Sequence, residues 1–492
     1  MSDIAHTTLG AIQGARADGV VRFHTVPYAT PPLGVLRFAP PQPQAAWTGI
    51  KDATVQGPIA PQPKSRLSLA MGDFTRAQSE DCLTLAIATP AADGGKRPVI
   101  VWLHGGAFLS GAGSLDWYDG GTLAGHGDVV VVGVNYRLGP MGFFYAPGIG
   151  DGLAGIHDMI AALRFVQAHI AAFGGDPANV TIMGQSAGAI AILRMLDMPA
   201  TSGLFHRAIV QSGLPRIGQD AATAVKRAHR LMELLGIDPG AADAKARLQA
   251  APAEQLVTLQ MQIARENARF GSIEPAFPPV FDGTDDTGAF SDRIAAACAA
   301  RGIDVMLGYT REEMLAFFVA DPNMANPDPA AVATYFTTLT GTADSMKSYR
   351  KRRPGADLRD LLGDLITDHR FIFPAIGLCE RLHAANRAAF LYEFSWAPAA
   401  SPWRACHCIE LPFVFGNRAA WDAPMLAGMR EQAFQGLSQT MMTAWTDFAR
   451  DGKPGLGWTQ YDPEHRRIMR FGATIGLDGD FSAVRRRDAV AG

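Results

Sequence analysis

A mostly parallel β-sheet with helices on its faces, the α/β class, is what this sequence predicts, on three observations. Apolar, β-branched runs alternate with amphipathic stretches through the middle of the chain. One run, Asp128 to Val134, is almost continuously apolar, as a strand buried on both faces must be. Between Val180 and Gln211 an apolar run, a helical stretch and a second apolar run follow with short connections, the spacing of a βαβ unit.

Taken in order, the segment carrying Pro27, Pro31, Pro32, Pro40, Pro41 and Pro43 is expected to run extended over the surface, because proline removes a ladder donor. Val99 to Leu103 is the first strong strand and Asp128 to Val134 the second. Ile156, Met159, Ile160, Leu163, Val166, Ile170 and Phe173 recur at three or four residues, so 151–172 is predicted as an amphipathic helix, stopped by Gly174, Gly175, Asp176 and Pro177. Val180 to Gly184 is a strand, Ala187 to Met195 a helix and Arg207 to Gln211 a strand. After Pro215, Ala221 to Leu259 and Asp328 to Arg370 read as wholly helical insertions. Strands return at Ile303 to Gly308 and Ala389 to Phe394, and a long helix at Met429 to Arg450. The expected organisation is one catalytic domain over 1–492, with cap-like helical insertions at about 216–275 and 320–385.

Composition narrows the function. With 44 Lys plus Arg against 47 Asp plus Glu, the net charge of −3 gives no electrostatic footprint for nucleic acid or an anionic membrane. The N-terminal stretch lacks a basic start and an apolar run, and no stretch is apolar enough over the length of a bilayer, so a soluble, cytoplasmic protein is expected, and five scattered cysteines fit a reducing compartment. Cys406 and Cys408 bracket His407, yet no further ligand pair lies nearby, so no metal is expected, and no other cofactor.

The chemistry starts at Gly184-Gln185-Ser186-Ala187-Gly188, a GxSxG. A predicted strand runs into it and a predicted helix leaves it, the context of a nucleophile elbow. That turn lifts the Ser186 hydroxyl above the sheet and places the Ala187 N–H at a helix N-terminus. His104-Gly105-Gly106-Ala107-Phe108 follows the strand at Val99, and its small residues let the N–H groups of Gly106 and Ala107 face a cavity. With Ala187 they make three convergent donors for a tetrahedral oxyanion. A hydroxyl also needs a base oriented by an acid, in the chain order Ser, Asp/Glu, His for this architecture. Of the histidines after the insertions, His369 and His383 lie in helical stretches and His465 in a polar turn. His407, in a loop after a strand, is the candidate base. Glu312 and Glu313 both follow the strand at Ile303, and spacing does not choose between them.

The sequence resembles the type-B carboxylesterase family of α/β-hydrolases, which includes bacterial para-nitrobenzyl esterases. The blocks VPYATPPLGVLRFAPPQP, SEDCLTL, VWLHGGAF, NYRLGPMGFF, FGGDPANVTIMGQSAGA, RAIVQSG, GYTREEM, HCIELPFVFG and WTQYDPEHRRIMRF stand in family order almost end to end. The resemblance implies an α/β-hydrolase fold, with Ser186 as nucleophile, Glu313 as acid, His407 as base, and Gly106, Ala107 and Ala187 as oxyanion donors. It implies that Arg37 and Glu80 form an architectural ion pair, that Ser212 supports the buried acid, that His104 shapes its loop, and that Phe317 lines the substrate gorge. The segment FGSIEPAFPP is expected to wall the acyl side, and Trp396 and Trp403 either border the alcohol side or pack in the core. The implied activity is hydrolysis of uncharged short to medium, bulky or aryl carboxylic esters through an acyl-enzyme, with amide, carbamate or lactone cleavage as the alternative. The partner is then a small-molecule ester, and a monomer is expected.

Three departures bear on this. Secreted relatives pair the cysteine of SEDCL with one in the block GPIAPQ, but Ala60 stands there, so Cys82 is expected to be free. Gln185 is neutral where the family often has Glu, which removes a charge near His407. The stretch SRLSLAMGDFTRAQ has no Trp for a choline-binding ring, which argues against cholinesterase activity. Two rival classes are a binding module with an idle triad and a thiol enzyme using Cys406 or Cys408.

Overall fold

The computed structural model describes residues 3–213, 218–281, 287–399 and 401–478. Pro215, where the sequence changes character, and the start of the first insertion lie outside them. From the N-terminus come strands β1 (Ile4–Thr7), β2 (Gly10–Gln13), β3 (Ala15–Ala17), β4 (Val20–Pro27), β5 (Ile50–Asp52), β6 (Thr84–Thr89), β7 (Arg97–Leu103) and β8 (Val130–Val134). A short hairpin, β9 (Tyr145–Ala146) and β10 (Gly150–Asp151), precedes β11 (Gly175–Gln185), β12 (Arg207–Gln211), β13 (Asp304–Thr310), β14 (Ala389–Phe394), β15 (Ile468–Phe471) and β16 (Ile475–Asp478).

Eleven of these form one twisted sheet in the order β16-β15-β14-β13-β12-β11-β7-β8-β6-β4-β3. The run from β8 through β7 and β11 to β15 is parallel, while β6, β4, β3 and β16 add antiparallel edges. Burial follows the two-residue period. Val99, Val101 and Leu103 join one apolar cluster, and Ile100 and Trp102 join the other on the opposite face. All five residues of β8 are buried, which is why the sequence there is apolar without alternation.

Strand order reverses where β7 and β11 lie side by side, because the chain passes from β7 to β8 on one flank and returns to the other. Connections leaving the two carboxyl ends diverge there and open a crevice, the usual ligand position in such sheets.

The helices at Ala154–His169, Ala187–Asp197 and Glu431–Asp451 lie where periodicity puts them. The insertions are broken more than expected. Ala221–Leu234, Ala244–Ala250 and Ala253–Glu266 are separate helices, parted at Gly236 and Pro252. Pro329–Thr340, Ser345–Arg352 and Leu358–Thr367 are parted by left-handed Gly341 and by Pro354-Gly355. Helix propensity in the flanks is high, but proline and left-handed glycine still end each helix. The proline-rich opening is also less superficial than expected. Strand β4 puts Val21, Phe23 and Val26 in the core, and Tyr28 and Phe38 are buried beyond it. Among the described residues no helix is long and apolar enough to cross a membrane.

Candidate active site

Strand β11 ends at Gln185 and the helix Ala187–Asp197 begins two residues later, so the whole reversal falls on Ser186, at φ 55° and ψ −118°. A non-glycine residue in such a conformation is strained and has to be held by its surroundings. Here the Ser186 N–H donates to the Gln211 carbonyl (2.9 Å) and the Ser186 carbonyl accepts from Ile190 N–H (2.9 Å). Gly188 permits the close approach behind the turn, since a Cβ there would meet the Leu103 carbonyl oxygen at 1.9 Å. Ser186 itself faces a cavity at the carboxyl ends of β7 and β11.

The loop after β7 supplies the facing wall. Gly106, Ala107 and Phe108 all have positive φ (109°, 58° and 57°), and a Cβ on Gly106 would lie 1.9 Å from the Ser110 carbonyl oxygen. The Gly106 carbonyl accepts from Leu109 and Ser110 N–H (3.0 and 3.1 Å), which turns it into the loop. Among the described residues nothing accepts from the N–H groups of Gly106 or Ala107, and both residues line the cavity, as does Ala187. Gln62 clamps the far end of the loop, accepting from Gly111 N–H (2.6 Å) and donating to the Gly111 carbonyl (2.9 Å). His104 stacks on Tyr136 with ring centroids 4.3 Å apart, its Nδ1 2.7 Å from the Gly105 carbonyl. Burial pushes its pKa down to about 4, so it is a neutral packing ring.

His407 and Glu313 arrive from the neighbouring strand ends. The Glu313 carboxylate accepts from the Thr310 N–H (2.8 Å) through Oε1 and makes a short hydrogen bond to His407 Nδ1 through Oε2, both side chains being buried. Glu312 faces away. Its oxygens meet Arg311 (2.8 Å), Arg353 (3.2 Å) and the Ala405 N–H (3.2 Å), so it ties the His407 loop to the helical insertion. His407 Nε2 is 3.0 Å from Gln185 Nε2, and no hydrogen bond joins it to Ser186 Oγ. Behind the histidine, buried Glu410 accepts from Gln211 (3.3 Å). Burial, then the nearby Glu313 charge, pushes the Glu410 pKa up to about 8.

Comparison with known proteins agrees with this layout. The pattern of the carboxylesterase family matches residues 1–480. The chain belongs to the carboxylesterase family. It is 35% identical to the para-nitrobenzyl esterase of Bacillus subtilis (strain 168), over 98% of each chain. It is also 35% identical to the phenmedipham hydrolase of Pseudarthrobacter oxydans, over 92% of this chain and 90% of that one. A thermophilic para-nitrobenzyl esterase of solved structure superposes with a TM-score of 0.86 at 33% identity, covering 99% of this chain and 100% of that one. The fold is accordingly that of an α/β-hydrolase.

In this carboxylesterase Ser186, His407, Gly106, Ala107, Ala187 and Phe317 all line one cavity, and Glu313 lies behind His407. The Phe317 ring is 5.4 Å from the His407 ring. Of the segment FGSIEPAFPP, Ile273 reaches the cavity. One expectation needs correction, for Ser212, and two readings left open are decided. Trp396 packs on Phe413 and Trp403 is buried in the core, so neither borders the cavity. Ser212 Oγ is buried without a hydrogen-bond partner among the described residues, so it does not support Glu313. The thiol-enzyme reading fails because burial pushes the Cys406 and Cys408 thiols far above their usual range, leaving no thiolate. Cys82 is free, as are the other four cysteines. Arg37 and Glu80 do pair, and Arg37 also reaches the Ala251 carbonyl (2.5 Å).

Sequence reasoning missed Phe74, Trp117 and Phe371. The Phe74 and Trp117 rings meet edge to face at 5.3 Å, and the Phe371 ring is 5.7 Å from that of His407. Phe371 lies on a π-helical turn, Asp368–Ile372, which interrupts a helical stretch and rotates the ring into the cavity. No periodicity in the sequence marks such a turn.

Proposed function

We propose that this carboxylesterase cleaves its esters by two-step acyl transfer, with Ser186 as nucleophile, His407 as general base and Glu313 as the acid that orients it. Ser186 Oγ attacks the ester carbonyl as its proton passes to His407 Nε2, and the carbonyl oxygen becomes an oxyanion held by the N–H groups of Gly106, Ala107 and Ala187. The imidazolium then protonates the leaving alcohol. Water, deprotonated by the same nitrogen, attacks the acyl-enzyme, and collapse releases the acid and restores Ser186. The Gln185 amide has to yield Nε2 to the serine hydroxyl for the first step, a closure that substrate commonly brings about.

The observation that carries this reading is the chain of contacts from Thr310 N–H through Glu313 to His407, in a cavity shared with the strained Ser186. Phe74, Trp117, Ile273, Phe317 and Phe371 make the cavity largely apolar, which favours uncharged acyl and aryl groups of short to medium length. The para-nitrobenzyl esterase and phenmedipham hydrolase named above are similar over most of the chain and support small-molecule aromatic substrates. The same reading takes the chain as one catalytic unit capped by helical insertions, acting as a cytoplasmic monomer without metal or cofactor.

Hydrolysis of graded para-nitrophenyl esters by wild type and Ser186→Ala, with and without EDTA, tests it. Activity should fall by several orders of magnitude in the variant, since the residual rate without a nucleophile is about 10³ to 10⁴ over water, and should ignore EDTA. A variant that keeps a tenth of wild-type activity would overturn the assignment.

A further inference from the structure

Beside the catalytic cavity lies a second one of very different character. By the same measure it is far roomier, about 580 Å³ against about 60 Å³, and its lining is polar where the first is apolar. Arg66 belongs to both walls. Its Nη2 donates to the Ile273 carbonyl (2.9 Å), so the guanidinium fills the seam between the segment carrying Leu67 and Met71 and the segment carrying Ile273.

Among the described residues, the guanidinium groups of Arg66, Arg194, Arg227 and Arg269 and the carboxylates of Asp220 and Glu274 line this second cavity. Asp220 is already committed. It caps the helix Ala221–Leu234, accepting from the Thr223 N–H and hydroxyl (2.8 Å each). Arg194 is held between the rings of Phe281 and Phe290, at 3.7 and 3.9 Å. Arg227 donates to Gln219 (2.9 Å), a neutral amide. Among the described residues no carboxylate lies at ion-pairing distance from Arg66, Arg227 or Arg269. Partial burial lowers the pKa of Arg227, while the Glu274 and Asp220 carboxylates act to raise it, and Arg66 and Arg269 are open to solvent. A planar oxyanion entering this cavity would meet guanidinium donors able to hold it with paired hydrogen bonds.

We propose that this cavity is a binding site for an organic carboxylate, supplied either by the distal acid of a half-ester whose ester group is at Ser186 or by the free acid that hydrolysis releases. The first source rests on the ester-hydrolase reading; the second does not. The shared Arg66 wall puts the anion next to the acyl side, so a dicarboxylic half-ester would present its neutral end to the catalytic cavity and its charged end to the arginines.

Two measurements on Arg269→Gln, Arg227→Gln and the double variant test it. The first compares kcat/KM for mono-para-nitrophenyl glutarate and for para-nitrophenyl valerate, which share acyl length and differ in the distal charge. The second is calorimetric titration of each full-length protein with glutarate and with valerate. A loss of roughly tenfold or more on the glutarate half-ester, with the valerate ester changed less than about twofold, supports a tethered carboxylate. Loss of calorimetric binding alone supports the free acid. Half-ester kinetics and acid binding both unchanged in the variants would overturn the site. A wild-type protein inert toward para-nitrophenyl valerate would sink the ester reading and leave the cavity to be judged by calorimetry. The Arg269 side chain is exposed and makes no hydrogen bond among the described residues, so its variant keeps the test decisive if Arg227→Gln misfolds.

Discussion

The side-chain amide of Gln185 lies 3.0 Å from Nε2 of His407, on the ring nitrogen opposite the one that Glu313 engages. The imidazole is thus held from both sides, by a carboxylate at Nδ1 and a neutral amide at Nε2. Replacing the amide by a carboxylate, Gln185→Glu, would favour the imidazolium, and catalysis needs the neutral ring. The acid limb of the pH profile of kcat/KM should therefore move to higher pH than in wild type. An unmoved or lowered limb would show that Gln185 has no electrostatic hold on the base.

Glu312 and Glu313 are adjacent in sequence and opposite in use. Glu313→Gln keeps the shape but can no longer stabilise the imidazolium, and kcat should drop by about 10⁴. Glu312→Gln loosens contacts to Arg311, Arg353 and Ala405 and should cost stability more than rate. Equal kinetic losses in the two variants would refute this division.

Gly106 has a steric reason to be glycine beside its proposed role as an oxyanion donor. Gly106→Ala would press a methyl group against the Ser110 carbonyl and displace the donors beside it. A fall in kcat of about 10² to 10³ is expected together with a lower thermal midpoint, since the clash is with backbone; in the folded fraction the larger loss should be in kcat and not in KM.

Glu410 should write its own pH dependence into stability. Its carboxyl is raised from 4.5 to about 8, so the folded protein holds a proton that the unfolded chain gives up. Below pH 4.5 both states are protonated and there is no effect. Between 4.5 and 8 stability falls as pH rises, and above 8 the whole penalty of the buried charge is present. Glu410→Gln should melt higher than wild type at pH 9 and lose that advantage at pH 4. A pH-independent difference between them would refute the assignment.

Arg37 braces the first insertion. Its guanidinium pairs with Glu80 and reaches the carbonyls of Leu248 and Ala251, at the end of the helix Ala244–Ala250. Arg37→Ala would leave a half-buried carboxylate unpaired, at a cost of about 3 to 5 kcal/mol. Denaturant unfolding should register that loss, while kcat/KM of the folded fraction stays near wild type.

The sheet's parallel centre was legible because its strands are buried on both faces and therefore written without polar interruption, as in β8 and β12. The antiparallel edges β3, β4 and β6 were not, since their pairing partners are distant in sequence and their runs are short or interrupted. At the site, Ser186 and the Gly106 loop carry local backbone demands that leave a mark in residue type. Phe371 and Trp117 do not: each is an aromatic residue among many, placed at the cavity by a π-turn or a loop path. Trp396 and Trp403 illustrate the converse, nearness to His407 in sequence without nearness in space.

Ser186, Gly106, Glu313 and His407 all follow carboxyl ends of the parallel strands β11, β7, β13 and β14, whereas Ile273 and Phe371 belong to the segments between strands. On the proposed mechanism, the reacting groups therefore sit at strand ends while part of the apolar lining sits on inserted segments. If that mechanism holds, an inserted segment could be exchanged between relatives, or lengthened, without re-aiming the strand-end groups, which would put new substrate preferences within reach of recombination.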